Sequence, residues 1–432
     1  MIKILKSSVA SQALFSRTNQ YATMVVPASA ASQAQAASQA NAMASDLIRS
    51  RSVKMIQQIF SQTVNPANTP VINVQPQPVG LVMGFLVAVN ATLADPVGAN
   101  AYALTPFGPA NAFSQIQFND LSNVTRVQTT GWHLHCVNTA KGGIPYAGTR
   151  PLTNYPMQFG DNFGGNLAAN QNNNIIQAAA QYDHTHFAQG VQMMYWVPLA
   201  YSIDDFRGSY FAGVVNSNAN LQLTINPSNQ AFVAAAADPI NAVYQAIGAS
   251  VNGAWGTQFQ VTVYQVYFDQ IPVDQKSGQR ILPYLSMSII YDIKNTSQPG
   301  VTANQDFPIP YSNFRDFLST VAIYDNHNAG VIPADGSDVT QWSLRQANSM
   351  NIFQYEPKYT GLFSRSLIGD DFPPSVYYFD SRNKPISTVT YGNMQLVLKA
   401  SATNGSPIVL VGFEAFSYQN TIVAAASLNS GT

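Results

Sequence analysis

The chain has 432 residues, more than one hydrophobic core usually serves, so its length predicts two domains. Charged residues make up only 9%, against roughly 25% in ordinary soluble proteins, a composition that suits lateral packing against copies of the same chain. The formal net charge of -1 gives no basic excess for sequence-independent nucleic-acid binding, and Cys136, the single cysteine, excludes an intrachain disulfide.

Residues 1–64 are predicted to form a partly helical N-terminal arm. Residues 28–60 are rich in Ala, Gln and Ser, and a helix there would carry an apolar stripe of Met43, Leu47, Met55, Ile56 and Ile59. The helix either docks on its own domain or lies in an arm that faces a negative surface such as a membrane. The second placement depends on six basic residues that stand against one acid, Asp46: Lys3, Lys6, Arg17, Arg49, Arg51 and Lys54.

Residues 65–271 are predicted to be the first β domain. Seven apolar residues with a period of two predict one strand with a single buried face: Leu81, Met83, Phe85, Val87, Val89, Ala91 and Leu93. Leu221, Leu223 and Ile225 repeat the pattern. Between Val263 and Val266 the period shifts phase, which predicts a β-bulge or a change of burial.

One helix is predicted inside this domain, over residues 239–247. Asp238 suits the N-cap position and Pro239 suits the first helical position. The helical spacing i, i+3, i+4, i+7 predicts one buried face, formed by Ile240, Val243, Tyr244 and Ile247.

A polar stretch with a proline at each edge, residues 272–283, is predicted to link the two domains. Residues 284–420 repeat the outline, with strands at 285–293, 386–398 and 408–416, and residues 421–432 form a tail. A second helix is predicted from the apolar face of Phe314, Phe317, Leu318, Val321 and Ala322. Jelly rolls, sandwiches and barrels all fit this all-β outline.

Two His-x-His pairs, His133/His135 and His184/His186, are the candidate metal ligands. On a strand, residues i and i+2 face the same side, so each pair could hold a metal ion. The only other histidine is His327, and the first pair has no acid near it in sequence except Asp120. A structural role is therefore favoured for both pairs, and no metal site is predicted.

Other candidate sites in the sequence are weaker still. The acidic turns at Asp204-Asp205 and at Asp335 to Asp338 do not match a calcium-binding EF loop, so solvated turns are favoured. The chain has no phosphate-binding loop, nucleophile elbow or HExxH motif. No catalytic residue and no cofactor is predicted.

Residues 103–146, predicted as strands and turns, contain two segments that resemble a known protein family. Their segments LTPFGPAN and GWHLHCVNTAKGG closely resemble the major capsid protein of the tectiviruses, tailless icosahedral bacteriophages with an internal membrane. Further matches are colinear and run from about Ala34 to near the C-terminus: QTVNPAN (62–68), VGLVMGFLV (79–87), YWVPLAYS (195–202), DPINAVYQAIGA (238–249), VYQVYFDQIPV (263–273), FLSTVAIYDN (317–326), DFPPSVYYFDSRNKPI (371–386) and YGNMQLVL (391–398).

The resemblance implies a double jelly roll, two eight-stranded jelly-roll barrels in one chain with short helices. It also implies a homotrimer that contacts neighbouring trimers, penton and minor capsid proteins in a shell over the viral internal membrane. The N-terminal arm would reach that membrane, and no direct contact with nucleic acid is expected. Two alternatives stay open: a receptor- or carbohydrate-binding jelly-roll virion protein, and a cupin-like metalloenzyme built on His184 and His186.

Overall fold

The structure is a computed structural model. It describes residues 42–94, 101–105, 107–121, 123–141, 191–202, 205–213, 218–234, 240–247, 253–276, 278, 280–282, 289–325, 338–346, 350–356, 376–401 and 407–418.

The described residues form mainly β-strands. The strands are β1 (Val53–Val64), β2 (Val71–Val74), β3 (Leu81–Ala94), β4 (Ala101–Leu104), β5 (Phe113–Asn119), β6 (Thr125–Thr129), β7 (Val191–Pro198), β8 (Tyr210–Phe211), β9 (Asn220–Ile225), β10 (Phe232–Val233), β11 (Tyr244–Ile247), β12 (Ala254–Asp269), β13 (Ile289–Pro299), β14 (Asp306–Pro310), β15 (Arg315–Asp325), β16 (Val339–Gln346), β17 (Met350–Tyr355), β18 (Val376–Asp380), β19 (Ile386–Ser387), β20 (Met394–Ala400) and β21 (Ile408–Tyr418). The helices are α1 (residues 42–51), a 3₁₀ helix (Gly108–Ala112), α2 (Gly131–Ala140), α3 (Ser228–Ala231) and α4 (Thr388–Tyr391).

The first half of the chain forms a sandwich of two sheets. One sheet has the order β1-β12-β3-β7, and β8 pairs with β3 beside β7. The strands β2, β9, β5 and β6 form the opposite layer. Their inner faces share one core, in which the rings of Phe85 on β3 and Phe118 on β5 lie 5.4 Å apart across the sandwich.

The second half forms a similar sandwich. One layer has the order β13-β21-β15-β18 and the other has the order β14-β20-β16-β17. Trp342 on β16 is fully buried, and its ring lies 5.2 Å from that of Tyr377 and 5.3 Å from that of Phe379, both on β18. These contacts between aromatic rings join the two layers.

Both halves have the same strand order. When the eight principal strands of each half are numbered along the chain, one layer reads 1-8-3-6 and the other 2-7-4-5. This is the antiparallel order of a jelly roll, so the prediction of two eight-stranded jelly rolls is confirmed. The repeat is one of topology, because the two halves share no recognisable repeat of residues.

One sheet runs through both jelly rolls. β6 of the first and β13 of the second pair in parallel, with Val127 opposite Ile293 and Gln128 opposite Lys294. The result is a nine-stranded sheet, β18-β15-β21-β13-β6-β5-β9-β2, in which β19 pairs with β15 at one end. The two jelly rolls are therefore joined by backbone hydrogen bonds as well as by side-chain packing.

The N-terminal prediction is partly wrong, because the helix α1 ends at residue 51. Met55, Ile56 and Ile59 lie on the strand β1, which pairs antiparallel with β12. Leu47 and Ile48 are buried, and Ile48 packs with the outer face of the first sheet, so α1 docks on its own domain. Residues 1–41, where the rest of the predicted helical arm falls, lie outside the described residues.

The predicted phase shift on β12 is a change of burial: Phe259, Val261, Val263 and Tyr267 keep one alternation in the core between the sheets, and Val266 and Phe268 pack on the outer face, which is covered there. A β-bulge lies opposite this point, on β3. Val266 on β12 pairs with Gly84, but the next residue, Tyr267, pairs with Val82, so β3 has one extra residue there. The bulge moves Leu81 and Met83 to the outer face, whereas Phe85 and Val87 stay in the core between the sheets. The single face predicted for this strand is therefore wrong at its first two positions.

Both helices predicted from one apolar face are strands. Residues 244–247 form β11, which pairs with β4, and residues 315–325 form β15, which lies between β18 and β21 in the nine-stranded sheet. β15 is buried on both faces, so its apolar residues are almost continuous and fit a helical spacing by chance. Ile240, Val243 and Tyr244 are fully buried as predicted, but Ile240 and Val243 lie in the turn before β11 and Tyr244 is its first residue.

The histidine-containing segment predicted as a strand is the helix α2. Trp132, Leu134 and Cys136 alternate as on a strand, yet Trp132, Cys136 and Ala140 also fit the helical spacing i, i+4, i+8. These three pack against Val321 and other residues on the outer face of the second jelly roll. Leu134 faces the core of the first jelly roll, so both sides of the helix are buried and neither period stands out.

Candidate functional site

The first histidine pair does not form a metal site. On the helix α2, His133 and His135 point in different directions, because residues i and i+2 of a helix lie about 200° apart. His133 is fully buried, its Nδ1 lies 2.7 Å from the hydroxyl of Thr129, and burial lowers its pKa to about 3. Its ring packs on Gly412 of β21, where a methyl group would clash. His133 is thus a neutral packing residue between the two jelly rolls.

The other candidate ligands are only partly described. His184, His186, His327, Asp204 and Asp335 lie outside the described residues. In the described ranges, no three His, Cys, Asp or Glu side chains come close enough to share a metal ion. Cys136 is buried, and burial raises the pKa of its thiol.

The predicted membrane-facing residues fall in two groups. Lys3, Lys6 and Arg17 lie outside the described residues. Arg49, Arg51 and Lys54 are exposed at the end of α1 and the start of β1, and Arg49 pairs with Asp46 at 3.1 Å. Partial desolvation of the Lys54 ammonium by its neighbours lowers its pKa. None of the helices in the described ranges is long and apolar enough to cross a bilayer.

The strand β1 presents apolar side chains to solvent at the edge of its sheet. Val53, Met55 and Ile56 are 44%, 39% and 44% exposed, and β1 is the terminal strand of the order β1-β12-β3-β7. Val273, just after β12, is also exposed. A long edge strand with exposed apolar groups is suited to contact another protein surface.

A buried ion pair joins the two jelly rolls. Lys141 follows α2 in the first half, and its Nζ lies 2.6 Å from a carboxylate oxygen of Glu414 on β21 of the second half. Glu414 is fully buried and accepts hydrogen bonds from the hydroxyl of Tyr291 and, at 2.8 Å, from that of Ser319. Lys141 also donates to the carbonyl oxygen of Tyr201 at 2.9 Å.

The local electrostatics keep Glu414 ionised. Burial alone would raise the pKa of its carboxyl group. The Lys141 ammonium and the donated hydrogen bonds outweigh burial and hold this pKa below its ordinary value. The Lys141 ammonium also lies 4.4 Å from the ring centroid of Tyr201 and 4.3 Å from that of Tyr291, where the ring faces stabilise a cation.

Further polar contacts cross the same junction. Arg382 makes a bidentate ion pair with Asp380, and its Nη1 donates to the carbonyl oxygen of Ala140 at the end of α2, at 2.8 Å. Asn295 on β13 donates to the hydroxyl of Thr130 at 2.9 Å. These directional contacts fix how the two jelly rolls sit against each other, and they present no group arranged for chemistry.

This junction between the two jelly rolls was not predicted from the sequence. Its one visible signal was Glu414, a lone acid in the apolar strand IVLVGFEAFSY. A buried carboxylate in such a strand needs a cation or hydrogen-bond donors beside it, but the spacing of residues does not say that Lys141 is the partner.

Comparisons with known proteins agree along nearly the whole chain. A family model for the P3 major capsid protein N-terminal region matches residues 17–271, and one for the P3 major capsid protein C-terminal region matches residues 288–430. The major capsid protein P3 of Enterobacteria phage PRD1 is 38% identical over 401 residues, which cover 93% of this chain and 97% of that protein.

Two solved structures share the fold at low identity. The crystal structure of the STIV MCP has a TM-score of 0.58 and 10% identity, and the match covers 87% of this chain and 99% of that one. A chain in the atomic structure of Sulfolobus Turreted Icosahedral Virus has a TM-score of 0.55 and 10% identity, over 87% of this chain and 96% of that one.

Proposed function

The chain belongs to the P3 major capsid protein family, and from this membership we propose that it forms homotrimers that tile an icosahedral shell around an internal membrane. It is a structural protein of the virion shell, so the alternatives of a metalloenzyme and of a receptor- or carbohydrate-binding protein are set aside. The observation that carries the proposal is the 38% identity over 93% of the chain.

The repeated strand order supports the trimeric form. Each chain contributes two jelly rolls of the same topology, so three chains give six similar sides. A particle with six similar sides can occupy hexagonal positions of a lattice with one kind of subunit. The fixed junction at Lys141 and Glu414 supports this role, because neighbours then meet two jelly rolls in one constant arrangement.

We infer further that residues 272–283 link the two domains, residues 65–271 and 284–420, with the tail at 421–432. The family matches support this division, since one ends at residue 271 and the other begins at residue 288. Membrane contact is assigned to the N-terminal arm, through Lys3, Lys6, Arg17, Arg49, Arg51 and Lys54. Penton and minor capsid proteins are the remaining proposed partners.

The trimer is tested by light scattering on the purified protein at micromolar concentration. We expect the mass of three chains, and a monomer would overturn the proposal. The exposed apolar part of β1 is a surface that contact between copies would cover. Ile56→Asp should therefore weaken association, whereas Gln62→Asp, which adds the same charge at an exposed polar position of the same strand, should have a smaller effect.

A further inference from the structure

The second jelly roll contains a pocket of about 350 Å³ between β13, β15, β21 and the end of β14. Its lining includes three charged side chains and three apolar ones: Asp292, Lys294, Arg315, Pro310, Phe317 and Phe413. Phe317 belongs to the core of this jelly roll and Phe413 packs against it. The floor of the pocket is therefore apolar and held rigidly by the core, and the volume is within the range of small-ligand sites.

The charged side chains leave a net charge of +1, from two cations and one carboxylate. Nε of Arg315 donates to Oδ2 of Asp292 at 3.1 Å and to the hydroxyl of Ser417 at 2.7 Å. Asp292 is almost fully buried, and the hydroxyl of Ser417 also donates to it. This carboxylate therefore fixes the Nε end of the Arg315 guanidinium. The side chain of Arg315 is only 23% exposed, so its direction is set by these contacts.

The hydrogen-bond donors of Arg315 and Lys294 that face the pocket indicate that its ligand is an anion. In the described part of the chain, no hydrogen bond occupies the two terminal nitrogens of Arg315. Lys294 Nζ is 4.0 Å from Asp292, beyond hydrogen-bond distance, and its side chain is 35% exposed. A planar guanidinium end fits a carboxylate with two parallel hydrogen bonds, and a nearby ammonium adds a second attraction.

We propose that this pocket binds a carboxylate that carries an apolar group. The carboxylate pairs with Arg315 and Lys294, and the apolar group rests on Phe317 and Phe413. The net charge of +1 matches a monoanion better than a doubly charged phosphate. Two sources share this chemistry: a free small organic acid, and an acidic side chain of a neighbouring copy of the chain.

The probe is phenylacetate, with phenylacetamide as the uncharged compound of the same shape. Titration calorimetry on the purified full-length protein should show saturable phenylacetate binding at least tenfold tighter than phenylacetamide binding. Lys294→Met should weaken phenylacetate binding several-fold, and Lys399→Met, on β20 outside the pocket, should leave it unchanged. Lys294 suits this test because it makes no hydrogen bond on which the buried Asp292 depends.

Equal affinities for the two compounds, or equal binding by the two lysine variants, would overturn the assignment. A second measurement separates the two sources. If phenylacetate weakens self-association in light scattering and phenylacetamide does not, the natural ligand is an acidic side chain of a neighbouring copy. If self-association is unchanged while phenylacetate is bound, the ligand is a free acid.

Discussion

Lys141 and Glu414 form an ion pair at 2.6 Å across the junction of the two jelly rolls, and the Glu414 side chain is completely buried. The two residues come from opposite halves of the chain, one after α2 and the other on β21. A buried ion pair adds little net stability compared with apolar packing, but losing one partner is costly. The pair therefore favours one arrangement of the two halves, because any other arrangement would leave a buried charge without its partner.

The first prediction concerns the loss of one partner of this pair. Glu414→Gln should lower the free energy of unfolding by roughly 3–5 kcal/mol, because Lys141 is then left without its buried counter-charge. Urea unfolding at neutral pH measures the loss. As a control, Asp306→Asn breaks the more exposed pair with Arg345 and should cost less than about 1 kcal/mol.

A double variant separates charge from packing. Lys141→Met combined with Glu414→Gln removes both charges, and it should recover part of the stability lost in Glu414→Gln alone. If the double variant is no more stable than Glu414→Gln alone, the pair is not the source of the effect.

The second prediction is a loss of stability in acid from two groups, His133 and Glu414, whose effects begin at different pH values. Below about pH 6.5 the unfolded chain protonates His133 while the folded site stays neutral down to about pH 3, so protons favour unfolding. Glu414 has a lowered pKa in the folded state, so its contribution is complete above its ordinary value of 4.5 and is lost as the pH falls below it.

Unfolding is measured between pH 7 and pH 5. Burial also lowers the pKa of His135, to about 4, so both histidines contribute over this range, and only a comparison with a His133 variant isolates His133. His133→Gln keeps a partner for Thr129 and has no titrating ring, so its stability should change less over this range than that of the original protein. The limiting slope for one such group is about 1.4 kcal/mol per pH unit. Identical slopes in the two proteins would show that His133 does not cause the acid sensitivity.

The third prediction compares one buried and one exposed position that lie two residues apart and receive the same new side chain. Val243 is fully buried before β11, and Asn241 is exposed two residues earlier. Val243→Asp should cost several kcal/mol, about 3 or more, because it places a carboxylate in an apolar core. Asn241→Asp should change stability by less than about 0.5 kcal/mol. Thermal or urea unfolding compares the two, and equal losses would contradict the burial described here.

The fourth prediction concerns the proposed membrane contact. Deleting residues 1–27 removes Lys3, Lys6 and Arg17 and should weaken binding to anionic liposomes, since each basic residue near such a surface contributes about 1 kcal/mol. Liposome co-sedimentation measures this, and the difference should shrink at high salt. Equal binding by both proteins across a salt series would favour a contact between trimers instead.

The sequence predicted strands best where one face is buried and one is open. Leu221, Leu223 and Ile225 on β9 alternate with half-buried polar residues, so their period of two is clear. The apparent phase shift near Val266 was readable because the outer face of β12 is covered there, where Val266 and Phe268 join the same apolar cluster as Ile48. In both places the pattern in the sequence follows directly from local geometry.

Where both faces are buried, the pattern failed for a physical reason. β15 and α2 are covered on both sides, so apolar residues occur on both faces and the helical and strand periods cannot be separated. The pairing of Lys141 with Glu414 was beyond any local pattern, because it depends on how the two jelly rolls meet. The charge of each residue was visible in the sequence, but its partner was not.

The position of β21 affects the order in which the chain can fold during translation. β21 lies between β13 and β15, so the second jelly roll lacks a central strand until this segment has left the ribosome. Until then Lys141 also has no counter-charge, although the strands of the first jelly roll have all been synthesised. Chains that stop before residue 408 can therefore complete neither the shared sheet nor the junction between the two jelly rolls.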